Sequence, residues 1–360
     1  MKRLFRSDLA DKKPSVISVP TGRHMMCLNE SSLDPYQAIK ESFLKRMEKI
    51  HLNRYLSPVT DELHLKLADY AGTRPENVVW ANGADDILYH VFLAVRENAD
   101  SFAVSLAPSY FDYGTFCAMV GLKIKYLALN EDFSFDTDEY LRLASHPDCR
   151  LAILCNPNNP TGNLFDMGQL RQIVEGLRDK LVLIDETYHE FSGATFVGEL
   201  EKHPNLMLAR SFSKAFSGAG LRFGYAISSE ENIHELKKVL TTFHTSILNQ
   251  AFALSILENA GIFREQVQNV ASMREEMYRG ISSLPGFTVH PSQTNFLAFS
   301  AGERTGRLFE FLKQKGVAVR DVGSHPLLSG HLRVTISSGE DNRAFLDALK
   351  EFSLSGVSGK

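Results

Sequence analysis

The chain has no C-x-x-C pair among its four cysteines, Cys27, Cys117, Cys149 and Cys155. At 360 residues it is also too long to need disulfide staples, so buried free thiols in a reducing cytoplasm are expected. Its twelve histidines show no H-E-x-x-H or comparable spacing, so no metal site is expected. It has no excess of positive charge: the formal net charge is −4, which gives no general affinity for nucleic acid. No stretch approaches the roughly 20 apolar residues that a membrane span needs. The basic start, "MKRLFRSDLADKKP", is interrupted by Asp8 and Asp11 and leads into no apolar run, so it does not read as a signal peptide. Repeats and low-complexity linkers are absent too. What remains is an ordinary globular composition, 44% hydrophobic and 23% charged, long enough for two domains.

What is present is alternation. "TDELHLKLADYAG" (60–72) carries Leu63, Leu65, Leu67, Ala68 and Ala71, mostly at helical spacing, and Gly72 stops it. "DDILYHVFLAV" and "MGQLRQIVEGLRD" read as further helices. Between them stand the apolar runs "ENVVWANG", "FAVSLAPSY", "LKIKYLAL", "RLAILCNPNNPTG", "KLVLIDETY", "NLMLARSFSKAF" and "FGYAISS". Continuous apolar strands separated by helices imply an α/β fold with a large, mostly parallel sheet covered on both faces. Ligands of such sheets sit at the carboxyl ends of the strands. The clusters "NGADD", "APSY", "NPNNPTG", "DETY" and "SFSK" all fall there, which argues for one shared site. After about Gly261 the pattern shifts to a long helix followed by short strands and helices, a smaller α+β domain. The boundaries read as 30–260 for the large domain and 1–29 plus 261–360 for the small one, because a domain's chain ends often lie close together.

Each strand-end cluster has a plain reading and a chemical one. Lys214 in "SFSKAFSGAGLRFGYA" (211–226) is either a surface charge or a Schiff-base nucleophile. The second role needs burial and a nearby cation, and Arg222 is the candidate cation. Arg222, with Ser211 and Ser213, also suits a phosphate, and Gly218 and Gly220 would let the backbone come close. Asp185 ends the buried run "LVLID" and needs a cationic partner. It is either an N-cap or core salt bridge, or the partner of the pyridinium nitrogen of pyridoxal 5′-phosphate. Tyr188 and Asn159 could both reach that ring's phenolate oxygen, although "NPNNPTG" is also a good plain turn. "NGADD" opens a helix, whose unpaired N–H groups suit a phosphate but equally signal ordinary capping.

Taken in order, "NGADD", "APSY", "NPNNPTG", "DETY", "SFSKAFSGAGLRFGYA" and "LRVTISS" resemble the fold-type I pyridoxal-phosphate-dependent aminotransferases. They are most similar to the histidinol-phosphate aminotransferase branch, over about 53–349. The resemblance implies a homodimeric, cytoplasmic enzyme of histidine biosynthesis, with L-histidinol phosphate and 2-oxoglutarate as substrates. It implies that Lys214 holds the cofactor and shuttles a proton, with Asp185 on the ring nitrogen and Asn159 and Tyr188 on the ring oxygen. It further implies that Tyr110 stacks on the ring and that Ala84, Asp85, Ser211, Ser213 and Arg222 hold the phosphate. Tyr55 would cross to the partner subunit's cofactor. Arg333 would bind the substrate's anion, and Arg320 would add a second cation for a substrate phosphate. The same scaffold also serves aromatic amino acid aminotransferases, threonine-phosphate decarboxylases and, less fittingly, sensory modules without turnover. Two stretches depart from the pattern: "LNESSLDPY" (28–36) stands where the family carries "LNENPYG", a segment that shapes the substrate pocket, and "ISVPTG" (17–22) stands in place of its upstream "Y-x-P-G".

Overall fold

The computed structural model describes residue 4 and residues 21–355. The basic start of the chain, and residues 1–20 of the expected small domain apart from Leu4, lie outside the described residues. In chain order the elements are β1 (His24–Met25), α1 (Pro35–Met47), α2 (Pro58–Ala71), β2 (Val78–Ala81), α3 (Ala84–Val95), β3 (Phe102–Ala107), α4 (Asp112–Val120) and β4 (Lys123–Ala128). Next come α5 (Thr137–Ala144), β5 (Cys149–Cys155), α6 (Met167–Gly176), β6 (Leu181–Asp185), α7 (His189–Ser192), β7 (Leu206–Ser211), β8 (Gly224–Ser228), α8 (Glu230–Lys237) and α9 (Ile247–Glu258). The chain closes with α10 (Ala260–Ser282), β9 (Thr288–Val289), β10 (Phe296–Ser300), α11 (Thr305–Gln314), β11 (Val317–Ala318), β12 (Arg320–Asp321), β13 (Leu332–Thr335) and α12 (Gly339–Ser355).

Seven strands form one sheet in the order β2-β8-β7-β6-β5-β3-β4. Only β8 runs against the rest, antiparallel to both β2 and β7. The continuous apolar runs are explained by burial on both faces. Along β5, Leu151, Ile153 and Cys155 enter one hydrophobic cluster, whereas Ala152 and Leu154 enter another on the opposite face. β4 is the exception: its lysines Lys123 and Lys125 stand on an exposed edge strand, which protects that edge from pairing. Local signals start and stop the helices. α2 has Ser57 accepting from the Val59 N–H at one end and Gly72 in the left-handed region, φ 70°, at the other.

A second, four-stranded antiparallel sheet, β12-β13-β10-β9, packs with α10, α11 and α12 around its own cluster, which includes Phe296, Phe299, Val334 and Phe345. Within the described residues, 21–29 reach this part of the molecule: β1 pairs in parallel with β11, and Met26 joins the same cluster. All four cysteines are free and buried. Among the described residues, no group of three or more metal-ligating side chains occurs, and no helix is long and apolar enough to cross a membrane.

Candidate active site

The register of the large sheet lines up the site. Ala81, Gly224 and Ser211 stand in a row across β2, β8 and β7, and Cys155, Asp185 and Ala209 form a row across β5, β6 and β7. The segments leaving these carboxyl ends carry the residues singled out above, as the crevice rule for parallel sheets requires.

Gly224 shows how closely the elements meet. A Cβ there would run into the backbone N of Ala84, so β8 lies against the N-terminus of α3 only because the residue is glycine. Gly83, φ 100°, precedes that helix, and a Cβ there would sit 2.6 Å from Arg222 Nη2. The close approaches are thus at Gly83 and Gly224. Of the two glycines expected to let the backbone approach a phosphate, a Cβ on Gly220 meets no protein atom within 4 Å, and a Cβ on Gly218 would press on the Phe212 carbonyl at 3.0 Å.

Arg222, φ 51°, donates to Asp85 Oδ2 at 2.9 Å and approaches Ser213 Oγ at 3.4 Å. Asp85 Oδ1 accepts from the Tyr110 hydroxyl at 3.0 Å. The Asp85 carboxylate is therefore turned to Arg222 and Tyr110, and what this residue and Ala84 offer an anion is their N–H groups in the first turn of α3. Asp86 Oδ2 accepts from the Asn82 N–H at 3.0 Å, just ahead of Gly83, and no side chain caps the first turn of α3. Ser211 and Ser213 are buried beside this cluster, with the Ser213 N–H donating to Ser211 Oγ at 3.0 Å.

Asp185 is buried and has neutral partners: Tyr113 OH donates to Oδ2 at 2.8 Å and the Thr187 N–H to Oδ1 at 3.0 Å. Burial raises its pKa against the pull of these two donors. The core salt bridge considered for Asp185 belongs to its neighbour instead: Glu186 pairs with Arg210 at 2.8 Å, both buried.

Lys214 is half-buried, and its Nζ donates to the Leu28 carbonyl at 3.1 Å. Burial brings its pKa down to about 8, helped first by the Arg333 charge and less by Arg222. The cation expected to matter was Arg222; Arg333, from the other sheet, acts more strongly because it enters the same crevice. Arg333 donates to Asn159 Oδ1 at 2.5 Å and to the Cys27 carbonyl at 3.2 Å, and lies over the Phe296 ring at 5.2 Å. Its Nε is buried without a hydrogen-bond partner among the described residues. Arg320 pairs directly with Arg333 across β12 and β13, which puts two guanidinium groups on one face of the small sheet. Tyr55 does not join this group: it is 77% exposed and stacks on Phe243, with ring centroids 4.5 Å apart.

Two residues escaped the sequence reading. Tyr113, fully buried against Asp185, is the second tyrosine of "APSYFDY" and follows Tyr110 by about one helical turn. Asn29, in "LNE", is buried, adopts φ 56° and donates from Nδ2 to the Tyr188 hydroxyl at 2.9 Å. Asparagine is one of the few residues that enters the left-handed region readily, but a single asparagine in a loop carries no signal of what it touches.

A lysine of depressed pKa, an uncompensated buried carboxylate, a helix N-terminus beside an arginine and two opposed arginines define an enzyme site for a cofactor with a cationic ring and a phosphate. Residues 25–349 match the family described as Aminotransferase class I and II, and the chain belongs to that family. It is a pyridoxal-phosphate-dependent transaminase with the fold-type I architecture. The residues present fit that cofactor, since Asp185 lacks the cation that a protonated ring nitrogen provides and Arg222 stands at the anion-binding end of α3. A histidinol-phosphate aminotransferase of Thermoanaerobacter pseudethanolicus is 32% identical, over 98% of this chain and 100% of that protein. One from Thermococcus kodakarensis is 32% identical over 97% and 98%. In fold, the chain resembles the histidinol-phosphate aminotransferase of Sinorhizobium meliloti solved with pyridoxal-5′-phosphate, with a TM-score of 0.85, 23% identity and 98% of each chain covered.

Proposed function

We propose that the enzyme is a histidinol-phosphate aminotransferase, moving an amino group between L-histidinol phosphate and 2-oxoglutarate in histidine biosynthesis. The observation that carries this reading is that Arg333, whose charge acts on Lys214, has a second arginine, Arg320, opposite it across the small sheet. Arginines directly opposite across strands bring two positive charges to one face, where one anionic group can meet both. Amino transfer here has two donors: glutamate offers an α-carboxylate, whereas histidinol phosphate has none and offers a phosphate. The planar fork of arginine pairs bidentately with either group. Arg333 serves both donors, and Arg320 adds the charge that the phosphate requires. The names of the full-length relatives support the same reading.

When bound, pyridoxal 5′-phosphate supplies an electron sink for charge developing at the substrate's Cα. Asp185 would hold its ring nitrogen, Tyr110 would pack on the ring, and Asn159 and Tyr188 would donate hydrogen bonds to the ring oxygen. The N–H groups of Ala84 and Asp85, with Ser211, Ser213 and Arg222, would hold its phosphate. Lys214 would be the point of covalent attachment, and its Nζ, once free, would take the Cα proton, a task its pKa of about 8 suits. The working unit is a cytoplasmic homodimer in which Tyr55 reaches the partner subunit's cofactor phosphate; the exposed Leu52 and Leu56 beside Tyr55 support a covered surface there. Each chain divides into a cofactor part, 30–260, and a smaller part, 1–29 plus 261–360.

Single-turnover mixing of Arg320→Leu and Arg333→Leu with each donor tests this. Arg333→Leu is expected to slow both half-reactions, and Arg320→Leu to slow histidinol phosphate at least about tenfold more than glutamate, the scale of one lost charge-assisted contact. Equal losses for the two donors in Arg320→Leu would favour an aromatic amino acid aminotransferase instead.

A further inference from the structure

Three consecutive residues, Cys27, Leu28 and Asn29, touch three different groups of the crevice. The Cys27 carbonyl accepts from Arg333, the Leu28 carbonyl accepts from Lys214, and the Asn29 side chain donates to Tyr188. Only the last contact belongs to a side chain, and so only it depends on which residue stands there.

The Asn29 amide has a defined orientation. The Asn29 N–H donates to Thr335 Oγ1 at 2.9 Å, and Thr335 Oγ1 faces Asn29 Oδ1 at 3.4 Å. The Asn29 carbonyl accepts from Asn295 Nδ2 at 3.0 Å. With Oδ1 turned to Thr335, the amide NH2 is the end that meets Tyr188, at 2.9 Å. A phenol oxygen that accepts one hydrogen bond keeps its own O–H for another acceptor. Burial also raises the Tyr188 pKa, which keeps that proton in place.

We propose that Asn29 is a positioning residue that sets the direction of the Tyr188 hydroxyl proton. By donating to the phenol oxygen, it prevents Tyr188 from spending its O–H on the segment behind it and aims that proton into the crevice, at the ring oxygen of the cofactor. The inference rests on the reading of Tyr188 given under the proposed function. It also accounts for the position of the asparagine. The backbone at φ 56° admits Asn, Asp or Gly with little strain, and of these only Asn both tolerates the angle and donates.

The test is a double-mutant cycle read as the affinity of the full-length apoenzyme for pyridoxal 5′-phosphate, measured by fluorescence titration. Asn29→Gly removes the donor and keeps the backbone angle. Asn29→Asp keeps the shape, but its carboxylate accepts a hydrogen bond and so turns the tyrosine proton away from the crevice. Each is made alone and with Tyr188→Phe, and thermal unfolding of each apoprotein identifies any variant that fails to fold. Asn29→Gly is expected to weaken binding about fivefold, the scale of one hydrogen bond, and Asn29→Asp more than that. Neither is expected to change affinity by more than about twofold once Tyr188→Phe is present, because coupled residues lose additivity. Equal losses in both backgrounds would overturn the positioning role and leave Asn29 a purely structural residue. No loss on Tyr188→Phe itself would overturn the reading of Tyr188 and this inference with it. If Asn29→Asp does not fold, the Asn29→Gly arm alone decides between these outcomes.

Discussion

Lys214 shows how surroundings choose between two readings of one side chain. An exposed lysine stays protonated up to its ordinary value of 10.5, whereas burial and the Arg333 charge bring this one to about 8. Because the pKa is depressed, the neutral nucleophile accumulates as pH rises through 8 rather than through 10.5. Competitive acylation of the apoenzyme with peptide mapping is expected to give Lys214 a midpoint near 8. A midpoint near 10.5 would show that its charge is unaffected by the crevice. Asp185 is the complementary case, a buried carboxylate held by the Tyr113 hydroxyl at 2.8 Å. Asp185→Asn is expected to keep the fold and lower turnover by at least about tenfold, since tenfold in rate corresponds to ~1.4 kcal/mol of transition-state stabilisation. Turnover within about twofold of the unaltered enzyme would make Asp185 structural only. Tyr113→Phe removes one of the two donors and is expected to weaken binding of pyridoxal 5′-phosphate more than binding of its deaza analogue, which has no ring nitrogen to pair with Asp185. Equal losses in a titration of the two compounds would contradict an action through Asp185.

Among the elements, the contact of β8 with the start of α3 carries the most consequence for the site. Gly224→Ala is expected to cost about 1–3 kcal/mol in denaturant unfolding, the range for overpacking, and to weaken cofactor binding as α3 is pushed away. Gly220→Ala, with open space around it, is expected to change stability by less than about 0.5 kcal/mol. Equal effects of the two substitutions would contradict the close-approach argument. The contrast also shows what the sequence reading reached. β5, β6 and β7 were legible because strands buried on both faces are continuously apolar, and their carboxyl-end loops carried recognisable residues. The reversal of β8 was not legible, because direction leaves no trace in composition. Gly220 and Gly224 look alike in a string, and only the register that brings Gly224 between Ala81 and Ser211 separates them. The Arg320–Arg333 pair was equally hidden, since β12 is two residues long and has no period to read.

In the whole molecule, two sheets from distant parts of the chain supply one crevice. Lys214 and Asp185 come from the large sheet, Arg333 from the small one, and the segment at Cys27–Asn29 ties them together. The Arg333 and Asn29 contacts span more than 150 residues of sequence, which is why the resemblance could mark 28–36 as shaping the pocket while the contact that Asn29 makes there stayed hidden. If Tyr55 serves the partner's site, mixing inactive Tyr55→Ala and Lys214→Ala proteins is expected to restore about a quarter of the native activity through hybrid dimers with one intact site. No recovery after subunit exchange, shown by mass, would place Tyr55 at its own chain's site or at none.

The account rests most on a crevice that holds an amine bearing a phosphate as readily as one bearing a carboxylate. Its direct test is the rate at which the pyridoxal 5′-phosphate-loaded enzyme loses its cofactor absorbance on mixing with each of four amines. These are L-histidinol phosphate, glutamate, phenylalanine and threonine phosphate. The account predicts fast loss with histidinol phosphate and glutamate, at least about tenfold slower loss with phenylalanine, and no carbon dioxide released from threonine phosphate. Faster loss with phenylalanine than with histidinol phosphate, or release of carbon dioxide from threonine phosphate, would contradict it.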